Sequence, residues 1–325
     1  MNGHALVLDV RGLTKRYRAN GHSGNSGLAN DGLDLQVRAG EIVALLGPNG
    51  AGKSTFLKQV AGQLLPSAGT VTVAGIDMLA DPLSAKDHIA VIPQECSPVE
   101  SLTVEEHIRY FGRIKARDRR VADRKIPEIL RVVGLETERG TIIRSLSGGY
   151  KRRVLIATAI AGDAPELLLL DEPTTGLDPE ARRSVWRILE SLRGEGRGIL
   201  LTTHYIEEAE YLANRIAIIS HGRFVASGSV DEVRQRVRFR GRLDVRDANR
   251  LSATAQEALR SLGGRWPEIL RTESHVRFGI PDAFSADTVS ELGRLTSIGV
   301  QASLAPASLE DAYLELTGEE IGNGT

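Results

Sequence analysis

The sequence predicts an α/β domain followed by a smaller α+β domain. Three observations carry that expectation. Short apolar runs alternate with helical patterns over the first two thirds of the 325 residues. Several of those runs are apolar throughout, as strands of a parallel sheet covered on both faces must be. Beyond about Arg236 the pattern changes to strand, helix, strand, strand, helix, strand, the split βαβ order of a ferredoxin-like domain. The expected boundaries are therefore 1–235 and 236–325.

Each element follows from local spacing. Residues 5–10 (ALVLDV) and 33–37 (LDLQV) have strand content, with a polar, Gly-rich loop at 19–31 between them. EIVALL (41–46) reads as a buried strand ending in glycine, and Lys53 to Leu65 as a helix. TVTVAG (70–75) and IAVIPQ (89–94) are further strands. From 103 to 162 the spacing turns helical, in TVEEHIRYFGRIKA, RKIPEILRVVGL and the run from Gly149 to Ala161, which marks a helical part at about 97–165. ELLLLDEP (166–173) is a strand, PEARRSVWRILESLRG (179–194) a helix with Trp186 in the core, and GILLTTH (198–204) a strand. IEEAEYLANR (206–215) is a helix and IAIISHGRFVASG (216–228) a hairpin. RQRVRFRGR (234–242) serves as linker and first strand of the second domain. SATAQEALRSLGG, PEILRT, SHVRFGI, SADTVSELGRLTS and GVQASLAP continue it, and SLEDAYLELTG (308–318) closes the chain as a helix.

Composition narrows the classes of function. Apolar residues make up 41% of the chain, enough for a full core, and a net charge of −1 sets up no global field toward nucleic acid or lipid. A single cysteine, Cys96, excludes an internal disulfide framework and suits a reducing compartment. No apolar run nears the ~18 residues of a spanning helix. The N-terminus lacks the basic-then-apolar order of a signal peptide. Service to a membrane is thus expected to run through a partner.

Lysine is scarce, with 7 residues against 34 arginines, so a lysine at a fixed motif position is informative. GPNGAGKST (47–55) matches G-x-x-x-x-G-K-[ST] at Gly47, Gly52, Lys53 and Ser54. It follows a buried strand and opens a helix, where backbone N–H groups and the helix dipole favour phosphate. A loop of Gly47, Pro48, Asn49, Gly50, Ala51 and Gly52 wraps a β-phosphate without Cβ clashes. Lys53 reaches the β/γ oxygens, Ser54 ligates Mg2+, and Thr55 continues the helix start. LLLLDEP places Asp171 at a strand end, to hold Mg2+ through water. Glu172 comes next, on the other side of that end, as general base for an attacking water. Taken singly, the two motifs also fit a Gly-rich turn and a carboxylate that caps the next helix. His204 ends GILLTTH, where an imidazole either reaches a γ-phosphate or serves structure alone. Gln94 ends IAVIPQ, as a surface amide or as a neutral ligand to Mg2+ that orients water.

The ordered set GPNGAGKST, Gln94, LSGGY (146–150), LLLLDEP, GLDP (176–179) and His204 resembles the nucleotide-binding subunit of an ABC transporter over roughly residues 6–235. The resemblance implies a P-loop NTPase cassette, with a RecA-like core, a β subdomain and a helical subdomain. It implies ATP and Mg2+ as the bound species, with Ser54, Gln94 and Asp171 toward the metal. Tyr17 in LTKRYR matches the aromatic that stacks on adenine, although the polar loop after it is longer than is typical. TTHYIEEAEYLANRIAIISHGRFVASGS and ASLEDAYLELTG further resemble ATPases of ABC-2-type exporters of the daunorubicin-resistance kind. There the ATPase is a polypeptide separate from the multispan permease and sits on the cytoplasmic face of the cell membrane. One cassette argues against tandem translation factors. The short segment before LLLLDEP has no room for the coiled coil of chromosome-maintenance ATPases, and Cys pairs for zinc are lacking.

In such a family two copies face head to tail. Ser147, Gly148 and Gly149 of one copy then meet the γ-phosphate held by the other, and ATP closes the dimer. A soluble ATP-driven regulator or assembly factor built on the same switch is the alternative. The stretch RIKARDRRVADRK (113–125) is either a docking surface or a solvated helix face. The last ninety residues carry no ligand signature and are expected to support or regulate the dimer. The family most often has glutamine where this chain has Tyr150, a departure that leaves the phosphate contacts of Ser147 and the glycines in place. ATPase assays should find Tyr150→Gln tolerated, and Ser147→Arg inactive because it blocks closure.

Overall fold

Strands apolar on both faces can satisfy their backbones only inside a sheet covered on both sides. The computed structural model describes residues 5–17, 27–116, 118–248, 251–272 and 274–318. Contacts divide the chain into two units, Met1–Phe224 and Val225–Thr325. In chain order the first elements are β1 (Leu6–Tyr17), β2 (Gly27–Arg38), β3 (Ile42–Leu46), α1 (Lys53–Val60), β4 (Ala68–Val73), β5 (Ile76–Asp77), α2 (Pro82–Asp87) and β6 (Ile89–Ile92). Then come α3 (Val104–Lys115), α4 (Arg119–Val133), α5 (Gly148–Ile160), β7 (Leu167–Asp171), α6 (Pro179–Gly194), β8 (Gly198–Thr203), α7 (Ile206–Leu212), β9 (Arg215–Ser220) and β10 (Arg223–Gly228).

A six-stranded sheet has the order β10-β9-β3-β8-β7-β6, and its inner strands pair in parallel. β3, β7 and β8 are buried at every residue. A four-stranded antiparallel sheet, β2-β1-β4-β5, contributes Leu8, Leu13, Leu35 and Val37 to a core shared with Leu45, Phe56, Leu169 and Leu200. Helices α3, α4 and α5 pack on one another as a helical part. α3 starts at a reciprocal cap between Thr103 and Glu106, and α4 stops at Gly134 in the left-handed region.

Several elements depart from the expected bounds. β1 and β2 are longer, because residues 27–31 of the expected loop pair with the end of β1, Tyr17 opposite Gly27; residues 19–26 of that loop lie outside the described ones. α1 ends at Val60 rather than Leu65, since Gly62 turns left-handed where a Cβ would meet Met78 Sδ at 2.6 Å. α7 ends at Leu212, because Asn214 and Arg215 are drawn onto β3.

The second unit contains α8 (Val230–Arg234), β11 (Gly241–Arg246), α9 (Ala253–Gly263), β12 (Glu268–Arg271), β13 (His275–Ile280), α10 (Ala286–Ser297), β14 (Ala302–Pro306) and α11 (Leu309–Thr317). Its sheet order, β12-β13-β11-β14, is the ferredoxin-like arrangement. Val245, Leu259, Trp266, Phe278 and Leu295 form its core. An ionic network ties α11 to the sheet. Arg277 donates to Asp244 (2.7 Å), to the fully buried Asp311 (2.8 Å) and to Glu310 (3.0 Å), and Arg242 donates to Asp311 (3.1 Å). Burial opposes ionisation of Asp244, but hydrogen bonds from Arg277 and His275 hold its carboxyl below the usual range. Arg277→Ala leaves two buried carboxylates short of a cation. Urea unfolding followed by circular dichroism should show a loss of about 3–5 kcal/mol.

Candidate functional site

The loop after β3 is shaped by two glycines with no room for a side chain. A Cβ on Gly47 would lie 2.4 Å from Ile219 O, and one on Gly52 2.4 Å from Ala29 O. Gly50 and Gly52 also take left-handed backbone, with φ of 83° and 108°. Asn30 donates to Gly52 O (3.2 Å) and holds the loop from β2. Asn49 and Gly50 form the exposed rim, Pro48, Ser54 and Thr55 are half-buried, and Ala51 is buried. α1 opens at Gly52 without a side-chain cap and without acidic residues in its first turn, a start whose N–H groups and dipole favour an anion. Lys53 is buried, and its Nζ donates to Gly47 O (2.7 Å) and Pro48 O (3.1 Å). Burial pulls its pKa down, against the attraction of Glu172 and Asp171.

Parallel register brings the other site residues to the same edge. Leu46 pairs with Thr203, and Thr202 with Asp171. Asp171 Oδ1 accepts from Thr202 Oγ1 (2.5 Å) and from Ser54 Oγ (3.2 Å). Glu172 aims elsewhere. Its Oε2 accepts from Gln94 Nε2 (3.0 Å) and Thr175 Oγ1 (3.1 Å), and His204 Nδ1 stands 3.1 Å from the same oxygen. Lys53 Nζ lies 3.9 Å from Oε1. One buried carboxylate thus gathers Gln94, His204 and Lys53, next to the pair formed by Ser54 and Asp171. Chemically, such an arrangement can hold phosphate and polarise a water.

Ser147 and Gly148 are exposed at the start of α5, and no side-chain bond caps that helix. Gly149 is buried, for a Cβ there would lie 2.6 Å from Ala181 Cβ; its glycine is demanded by packing against α6. Tyr150 lies under the Arg153 guanidinium, 4.1 Å from the ring centroid, and Arg153 donates to Gly134 O (2.9 Å) at the end of α4. Tyr17, 45% exposed at the end of β1, has the Lys15 ammonium over its ring; no described contact joins it to the loop at 47–55. Within 113–125, Arg113 pairs with Asp123, so part of that charge is already neutralised. Cys96 is half-buried, its thiol pushed up by burial.

Four contributors escape a reading of motifs. Thr202 hydrogen-bonds both Asp171 Oδ1 and the Glu172 N–H (3.0 Å); its signal is visible only once β7 and β8 are neighbours. Thr175 sits three residues past Glu172 and carries no pattern of its own. Glu208, fully buried in α7, accepts from Thr174 Oγ1 (2.7 Å) and Trp186 Nε1 (2.9 Å) and so anchors the segment after Glu172. Arg152 of α5 is buried beneath the turn at 171–173.

A family described as ABC transporter matches residues 30–175. The chain is 35% identical over 322 residues to the Nod factor export ATP-binding protein I of Ralstonia nicotianae, covering 98% of this chain and 96% of that protein. It is 37% identical over 323 residues to the daunorubicin/doxorubicin resistance ATP-binding protein DrrA of Streptomyces peucetius, covering 96% and 92%. Among solved structures, an ATP-binding subunit of an ABC transporter is similar at 32% identity and a TM-score of 0.61, over 71% of this chain and 92% of that one. A dimeric post-hydrolysis ATP-binding cassette bound to ADP and Pi is similar at 26% identity and a TM-score of 0.59, over 68% and 98%.

Burial pushes the Glu208 carboxyl up, against hydrogen bonds from Thr203, Thr174 and Trp186. The folded state then holds this proton more tightly than the unfolded chain does. Stability therefore falls as pH rises from the ordinary carboxyl value to the raised one, and is level above it. Glu208→Gln removes that fall. Thermal melts across pH should show the variant gaining on the wild type as pH rises through this window.

Proposed function

This chain belongs to the ATP-binding proteins of ABC transporters, in the group of the Nod factor and daunorubicin/doxorubicin export ATPases, and from that premise we propose how its residues work. It is the ATP-binding subunit of an ABC exporter, an ATPase whose hydrolysis is coupled to transport. Two copies meet head to tail, each ATP lying between the 47–55 loop of one and Ser147, Gly148 and Gly149 of the other. Dimeric cassettes among the similar structures support that arrangement. Binding stabilises the closed pair over the open one, and hydrolysis releases it. Tyr17 stacks on the adenine.

Glu172 takes the proton of the attacking water, Gln94 and His204 hold water and base in line, and Lys53 steadies the β/γ oxygens. The oxygens of Ser54, Asp171 and Gln94 suit Mg2+, a hard ion that prefers oxygen ligands. Ser54 Oγ and Asp171 Oδ1 already stand together, and Gln94 donates through nitrogen, which leaves its amide oxygen to accept. An ion held there would supply positive charge against the phosphates. The path for cargo belongs to a separate multispan permease, in line with the export named for the relatives; no helix among the described residues is long and apolar enough to cross a membrane. The ATPase then works peripherally, at the cytoplasmic face. Cargo is of the drug, lipid or glycan kind, in line with the products named for the relatives. The C-terminal unit supports or regulates the dimer.

The meeting of Gln94, His204 and Lys53 on Glu172 is the observation that carries this mechanism. Glu172→Gln should slow phosphate release by roughly 100-fold or more, while an ATP-bound dimer accumulates in light scattering. Unchanged release would overturn the mechanism. Co-purification with a multispan membrane protein supports the export role, and a purely non-membrane partner would point instead to an ATP-driven regulator.

A further inference from the structure

Glu172 has a backbone that its residue type does not favour. Its φ is 47°, in the left-handed region. Pro173 follows, and a residue before proline is steered toward extended backbone. Such a conformation persists only where its surroundings over-determine it. On the amide side, Thr202 does this through its carbonyl (3.2 Å) and hydroxyl (3.0 Å), both accepting from Glu172 N–H.

On the carbonyl side the clamp is one side chain. Arg152 Nε donates to Pro173 O (2.6 Å), and its Nη2 to Glu172 O (3.3 Å) and Asp171 O (3.4 Å). Its Nη1 reaches Pro93 O (3.4 Å), the carbonyl just before Gln94, whose amide holds the Glu172 carboxylate. Arg152 is 8% exposed, and none of its hydrogen bonds goes to a carboxylate. A buried guanidinium satisfied by carbonyls is an expensive way to fill space among Val154, Ile156 and Ala157 of the same helix. What the fork does, and a point charge cannot, is grip several carbonyls in a fixed plane.

We propose that Arg152 is a positioning residue for hydrolysis: its guanidinium holds the carbonyls of Asp171, Glu172 and Pro173 and thereby aims the Glu172 carboxylate and its Gln94 partner. This rests on Glu172 acting as the base. Arg152 lies five residues after Ser147, on the helix whose start is assigned to the ATP of the other copy. The aim of each Glu172 is thus mechanically tied to the helix that reads the neighbouring site.

The test compares Arg152→Gln, Arg152→Met and Arg152→Lys with the wild type and with Glu172→Gln, in the full-length chain. Steady-state kinetics with MgATP, corrected for the fraction of chain that binds a fluorescent ATP analogue, separate kcat from KM. Arg152→Gln and Arg152→Met should lose roughly 10- to 100-fold in kcat, as a misplaced catalytic group does, with KM for ATP within about twofold because the P-loop is untouched. Arg152→Lys should recover part of kcat. The slow variants should accumulate ATP-bound dimer in light scattering, as Glu172→Gln does. Wild-type kcat in Arg152→Met overturns the proposal. So does loss of ATP-driven dimerisation, which would make Arg152 a support of the LSGG segment alone. If Glu172→Gln itself hydrolyses normally, the assignment of the base fails, and Arg152 is not the cause.

Discussion

Because β3, β8 and β7 run parallel in one register, Leu46, Thr203, Thr202 and Asp171 end on a single edge, and the 47–55 loop, Glu172 and His204 leave from there. The glycine-rich loop at 47–55 follows β3, Asp171 ends β7 with Glu172 directly after it, and His204 comes directly after β8. Carboxyl-terminal strand ends of an open α/β sheet are where ligands bind, since loops and helix N-termini converge on them. Shifting β7 or β8 by a residue would turn Asp171 or Thr202 to the opposite face and break their 2.5 Å hydrogen bond.

Charge is placed inside this unit at considerable cost. Lys53, Asp171, Glu172, Arg152 and Glu208 are all buried, and a buried charge is tolerated only when it is paired or well hydrogen-bonded. Here the partners are backbone carbonyls or neutral side chains: Lys53 on loop carbonyls, Asp171 on two hydroxyls, Glu172 on an amide and a hydroxyl, Glu208 on Thr174 and Trp186. The second unit uses the same device for another end. Its Asp244, Arg277 and Asp311 network joins the last helix to the sheet.

Much of the architecture was legible from periodicity. Seven of the eight described elements of the second unit, all but α8, and the helix at 179–194 lie where spacing places them. The misplaced ends are those where tertiary pairing overruled local pattern. Residues 27–31 look like loop until Tyr17 and Gly27 are found opposite each other, and Asn214 and Arg215 look helical until β3 claims them. Tyr150 is a similar case: as a letter it is an odd member of a motif, and in space it is the base on which Arg153 stacks.

Gly47, Lys53, Ser54, Asp171 and Glu172 stand out in the sequence because their motifs are contiguous: a glycine-rich loop between a strand and a helix, and a strand that ends in two carboxylates. Thr202, Glu208 and Arg152 do not. Each acts on a group 19 or more residues away, through a contact that exists only after β8, α7 and α5 have packed around the end of β7. Spacing along the chain carries no trace of such a contact, because its geometry is set by which elements become neighbours and not by their order.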